Sequence, residues 1–201
     1  PKINLTIILS LYQMKKLLLL ISLFTYQLQA QKSAITPKNV EKHVAFLASD
    51  ELKGRGTGTK DEQKAADYIA KHFKSLGLAP KGTNGFEQPF KANIDTVHAV
   101  DARNVVAYLD NGADRTIVIG AHYDHLGEGY QRGSLEANSK GKIHNGADDN
   151  ASGVAGVLEL ARYYAKNGVK ESHNFLFICF SAEELGLLGS KYYSNNPTID
   201  L

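Results

Sequence analysis

The 201-residue sequence contains one cysteine, Cys179, one methionine and five prolines. A single cysteine excludes an intramolecular disulfide framework and any cysteine-rich zinc finger. An excess of charge of one sign is missing too. The formal net charge is +2, and three of the 23 basic residues (Lys2, Lys15, Lys16) precede residue 31 with no acid among them, leaving 20 basic against 21 acidic residues. That balance asks for no nucleic-acid partner. Internal repeats and low-complexity tracts are absent. With 43% hydrophobic and 22% charged residues, the composition argues against wholesale disorder. It fits one domain with a sizeable core, in a chain too short for two large ones.

The first thirty residues read as an address. Met14 is followed by Lys15 and Lys16, the apolar run Leu17 to Phe24, a polar stretch and Ala30. A basic start, an apolar segment of about ten residues and a small residue at the cut are the marks of a secretory signal peptide. Residues 14–30 are therefore expected to direct export to the periplasm or the extracellular space. Residues 1–13 read as an over-extended frame upstream of the start. Leu5 to Phe24 approaches bilayer-spanning length, but Gln13, Lys15 and Lys16 interrupt its centre. Each lysine there would cost about 2.5–3.5 kcal/mol, which favours cleavage, with no stable membrane anchor afterwards. The residue directly after Ala30 is Gln31 and not a cysteine, which excludes a lipid anchor at that site, and Cys179 is expected to be a small buried apolar residue.

Beyond residue 31 the pattern alternates between helix and strand. Thr36 and Pro37 open a helix over 36–50 with Val40, Val44 and Leu47 on one face. Gly54, Gly56 and Gly58 fit neither a dinucleotide fingerprint nor a Walker loop and read as a flexible turn into the next helix. Thr59 and Glu62 form a capping-box pair for that helix, Ala65, Ile69, Phe73 and Leu76 its buried stripe, and Gly77 its end. Residues 80–101 suggest an extended, hairpin-like path. Strands are expected at Val105–Leu109, Thr116–Gly120 and Phe175–Phe180, the last apolar at every position as in a strand buried on both faces. A helix is expected from Ser152 to Lys166 and another from about Leu185. This alternation predicts an α/β three-layer sandwich with a largely parallel central sheet.

The chemistry-bearing residues gather at three joints. Ala-His-Tyr-Asp-His places His122 and Asp124 just past a strand end. Asn-Gly-Ala-Asp-Asp-Asn-Ala-Ser-Gly sets Asp148 and Asp149 side by side before a helix. Ser-Ala-Glu-Glu puts Glu183 and Glu184 at the exit of the buried strand. Ligands in open α/β sheets bind outside the carboxyl ends of strands, so one imidazole and several carboxylates are expected on one rim. That donor mixture suits a divalent metal such as zinc. One glutamate of the pair can ligate while its neighbour reaches an attacking water, a carboxylate such as Asp148 can bridge two ions, and Asp124 can orient the His122 ring. Taken singly, each motif has a plainer reading as a helix cap, a dipole complement or a chance pair. His125 and His144 flank the site as supporting or substrate-contact candidates. His43, His72, His98 and His173 are expected at the surface, and Tyr163 and Tyr164 in helix packing.

The segments 120–124, 145–153 and 181–190, together with Leu52 to Leu78, resemble family M28 of the zinc peptidases, which includes leucyl-type aminopeptidases. The resemblance implies a zinc-peptidase (phosphorylase/hydrolase-like) fold. It implies His122 on one zinc, Asp148 bridging both, Glu184 on the second, Glu183 as general base and Asp124 behind His122. It also implies an unusual cis peptide at Asp149, the residue after the bridging aspartate. The family's two further ligands, an Asp and a His, come later than Leu201. Residues 31–201 therefore read as the N-terminal portion of a catalytic domain that holds two Zn2+ when complete, and alone they are expected to bind metal weakly with little or no activity. The function implied is hydrolysis of the N-terminal peptide bond of peptides. A glutaminyl cyclase or carboxypeptidase on the same scaffold, or a non-catalytic binding domain, are the rival readings.

Overall fold

The computed structural model describes residues 11–22, 34–93, 97–130 and 133–200. Residues 11–22 are helical and exposed; the expected cleavage point at Ala30 lies outside the described residues. Among the described residues no helix is long and apolar enough to cross a membrane.

Helix α1 (Pro37–Leu47) begins as its sequence predicts, with Thr36 Oγ1 accepting the Asn39 N–H at 3.3 Å. Helix α2 (Lys60–Leu76) starts on Thr59, whose Oγ1 accepts the Glu62 N–H at 3.2 Å, and ends on Gly77 at φ +79°. Only half of the expected capping box forms. The Glu62 carboxylate turns away from the cap to the Gly58 N–H, 2.6 Å distant, and to the Ser181 hydroxyl. Helix α3 runs over Ser152–Lys166 as expected. Helix α4 (Leu188–Asn195) begins three residues later than the sequence suggests. The intervening residues form a turn in which the Gly186 and Leu187 N–H groups both donate to the Glu183 carbonyl at 2.8 Å. Glu183 and Glu184 therefore sit on a turn and not in the first turn of a helix.

Five strands form one sheet: β1 (Ala79–Pro80), β2 (Glu87–Asn93), β3 (Ala99–Leu109), β4 (Thr116–His122) and β5 (Asn174–Phe180). The order is β1-β3-β5-β4, with β2 also paired to β3. The β4–β5 pair, which carries the site, is parallel; the pairings of β3 with β1, β2 and β5 are antiparallel. Strand β5 is buried on both sides because successive side chains point to opposite faces. Phe175, Phe177 and Cys179 meet Ile69, Phe73 and Leu158 of α2 and α3, whereas Leu176 and Ile178 meet Tyr193 of α4. Helices thus cover both faces of the sheet. Cys179 is fully buried, and burial pushes its thiol far above the ordinary range.

Of the histidines expected at the surface, His43 is buried and His72 half-buried. His43 is 5% exposed. Its Nδ1 lies 2.7 Å from the Tyr68 hydroxyl and its Nε2 3.5 Å from Glu159 Oε1, while Arg162 binds both oxygens of that carboxylate. The His72 ring stands edge-on to His43 at 4.9 Å. Burial pulls the pKa of both rings down, that of His72 to about 4. A polar cluster can be buried when its members satisfy one another, and here it joins α1, α2 and α3. Tyr164 stacks on Phe175 at 4.0 Å, consistent with helix packing.

The packing between α3 and the sheet sets a measurable expectation. Leu158 is fully buried among residues of both layers. Leu158→Ala should lower the unfolding free energy by about 2–5 kcal/mol in urea titrations, whereas a loss under about 1 kcal/mol would mean that this layer packs loosely.

Candidate metal centre

Parallel register places His122 beside Phe180, so β4 and β5 leave the sheet at the same edge. His122 is the last residue of β4, one step earlier than a position past the strand end. The chain then passes Tyr123, whose N–H donates to the Phe180 carbonyl at 2.9 Å, and reaches Asp124, which is 0% exposed. An ionised carboxylate in such a place needs donors around it. Asp124 Oδ1 accepts the Glu183 N–H at 3.0 Å. Its Oδ2 accepts the Glu184 N–H at 3.3 Å and the Thr57 hydroxyl at 2.9 Å. The His122 ring is held mainly through the backbone of the same residue. Nδ1 lies 3.2 Å from the Asp124 carbonyl oxygen and 3.7 Å from its Oδ1. A carbonyl can only accept, so Nδ1 carries the proton and Nε2 faces the site.

The loop before α3 is fastened by a residue that sequence reasoning left inside a flexible turn. Arg55 is 0% exposed and follows Lys53 and Gly54 at positive φ. Its guanidinium donates to the carbonyls of Tyr123 (2.8 Å), Asn145 (2.8 Å), Gly146 (3.0 Å) and Leu47. One cation thereby ties the exit of β4 to the loop before α3. Burial lowers its pKa to about 10, against the raising influence of Asp124, Asp149 and Glu184. The Gly-Arg-Gly spacing was its only sequence signal.

Asp149, and not Asp148, is the carboxylate brought to His122. Asp149 Oδ1 lies 2.9 Å from His122 Nε2. The turn Ala147–Ala151 leaves helical geometry at Asp149 (φ −114°, ψ 94°) and Asn150 (φ −139°, ψ 41°), which turns the Asp149 side chain toward the strand ends. The cis peptide bond joins Asp149 to Asn150, so the residue that precedes it is Asp149. What Asp148 contributes here is its backbone carbonyl, which accepts the Ser152 hydroxyl at 2.8 Å.

Glu183 Oε2 stands 3.7 Å from His122 Nε2. Burial raises the Glu183 pKa, opposed by His122 and assisted by Glu184, Asp124 and Asp149. Burial alone would lower the pKa of His122, but its hydrogen bond and charge interaction with Asp124, joined by Glu183, lift it to about 9. Glu184 Oε1 lies 2.6 Å from His125 Nδ1. His144 stays outside this group; its Nε2 is buried with no hydrogen-bond partner among the described residues. His122, Asp149 and Glu184 each offer one ligand atom, all within 4.8 Å of one another. One imidazole nitrogen and two carboxylate oxygens at this spacing suit zinc, which takes such donors in tetrahedral sites.

Residues 104–200 match the family model described as Peptidase family M28. These residues hold all three joints of the site, and the chain is an M28 family chain of the α/β type. Over 154 residues it is 33% identical to the alkaline phosphatase isozyme conversion protein of Escherichia coli, covering 75% of this chain and 42% of that protein. A probable lipoprotein aminopeptidase, LpqL, of Mycobacterium tuberculosis is 34% identical over 128 residues, covering 63% of this chain and 22% of that protein. The crystal structure of Fimbriiglobus ruber glutaminyl cyclase superposes with a TM-score of 0.66 at 24% identity, over 80% of this chain and 54% of that one; this likeness shows the fold. The chain therefore spans less than half the length of these two curated relatives.

Glu62, beneath the Glu-Glu turn, gives a pH signature. Burial is the main cause that raises its pKa to about 8, against the hydrogen bond from Ser181. Between the ordinary value near 4.5 and about 8, the folded chain holds a proton that the unfolded chain releases. Stability from this group is thus complete at low pH and is lost as pH rises through 8. Glu62→Gln should remove that decline. Urea midpoints from pH 5 to 9 should fall more steeply for the wild type than for the variant, and parallel curves would refute the assignment.

Proposed function

We propose that this chain carries part of the active site of an exported zinc aminopeptidase that cleaves the N-terminal peptide bond of peptides. The convergence of His122, Asp149 and Glu184, with Glu183 beside them, is the observation that carries the reading. The M28 match and the relative named as a probable aminopeptidase support it, and the basic-then-apolar segment at 14–30 supports export.

In this reading His122, through Nε2, would hold one zinc and Glu184 the second, and Asp149 would serve both, the role that the sequence suggested for Asp148. When bound, zinc polarises the scissile carbonyl and brings the pKa of water toward about 7. Glu183 takes a proton from the attacking water and returns it to the leaving amine, work often worth about 10²–10⁴-fold in rate. Its raised pKa makes it a stronger base for the first half of that exchange. Asp124 holds the amides of Glu183 and Glu184 and so fixes where that base stands. A glutaminyl cyclase shares the fold, and one zinc per full-length chain instead of two would favour that chemistry.

Four variants of the full-length protein separate these roles. Glu183→Ala should keep zinc and lose turnover of an aminoacyl substrate by at least about 10²-fold. His122→Ala and Asp149→Ala should lose zinc on dialysis, measured by elemental analysis. Asp148→Ala should retain it. Retention by the Asp149 variant and loss by the Asp148 variant would restore Asp148 to the bridge.

A further inference from the structure

The proposed zinc site gives His125 no direct part, yet its backbone and ring are both closely confined. Its N–H donates to the Arg55 carbonyl at 3.1 Å, within a bridge between Gly56 and His125. Its ring lies against Gly146, where a Cβ would fall 2.6 Å from two ring carbons. Its Nδ1 stands 2.6 Å from Glu184 Oε1, and the two side chains are 12% and 15% exposed. A carboxylate has two oxygens, and the imidazole occupies one.

We propose that His125 is a positioning residue for Glu184. Donation from Nδ1 fixes Oε1 and leaves the second carboxylate oxygen as the donor available to a metal ion. The inference rests on the zinc-site reading above. A ligating carboxylate that is itself hydrogen-bonded keeps one orientation, and loss of such a partner typically costs about 10–100-fold in metal affinity. Because the same ring bears on Gly146, it also spaces Glu184 from the loop that carries Asp149. Motif spacing hides this pairing, since His125 lies 59 residues from Glu184.

The test uses the full-length chain with two substitutions. His125→Phe keeps an aromatic ring and removes the donor, whereas His125→Asn places an amide N–H near the position of Nδ1. Zinc affinity is measured by competition with a chromophoric chelator, cobalt(II) coordination by the visible spectrum, and folding by thermal unfolding of the metal-free protein. We expect His125→Phe to weaken zinc binding by about 10–100-fold and to alter the cobalt spectrum, and His125→Asn to recover most of both. Wild-type affinity and an unchanged cobalt spectrum in His125→Phe would overturn the proposal. So would a His125→Asn protein that folds normally yet binds zinc no better than the Phe variant. If the wild type binds no more zinc than Glu184→Ala, the zinc site itself is refuted and the role of His125 with it.

Discussion

The buried carboxylate of Asp124 is the constraint on which the site depends. A charge removed from water must find compensating donors or lose several kcal/mol. Here the donors are the Thr57 hydroxyl and the amides of Glu183 and Glu184. Solvating Asp124 therefore requires the chain leaving β5 to fold back over the chain leaving β4. The two glutamates stand where they do because their backbone answers an electrostatic demand from the neighbouring strand. The same residue offers its carbonyl to His122 Nδ1, so one position fixes both the imidazole and the carboxylates opposite.

Arg55 does the complementary work. A buried guanidinium has five N–H groups in a fixed fork, and this one meets carbonyls from α1, from the exit of β4 and from the loop before α3. It supplies a positive charge behind a group of acids without entering the rim. Asp124, Asp149 and Glu184 all act on it, and they outnumber it, so the opening keeps the negative character that a divalent cation requires.

The sequence was informative where a pattern has one physical cause. Helical periodicity located α1, α2 and α3, continuous apolarity marked β5 as buried on both faces, and three polar motifs at element junctions marked the site. It was less informative where the deciding partner is backbone or where neighbours are chemically alike. Asp148 and Asp149 are the same residue type side by side, and only the turn dihedrals distinguish them. Arg55 bonds to carbonyls, which every residue possesses, so nothing in its neighbours' identities announces it. The turn at Glu183 relies on positive φ at Ala182 and Leu187, non-glycine positions that carry no turn signature. His43 lies in a polar segment, and its burial is legible only once Tyr68 and Glu159 are brought beside it from two other helices.

Gly146 adopts φ +58°, and a methyl group there would meet the His125 ring and the Asp149 carbonyl oxygen, at 2.6 and 2.5 Å. Two demands, one of backbone handedness and one of space, fall on a single atom-poor residue. Within the loop, this position has no room for a side chain while His125 and Asp149 keep their places. Removing the histidine alone would not free it, because the Asp149 carbonyl oxygen and the left-handed backbone would still stand against a side chain.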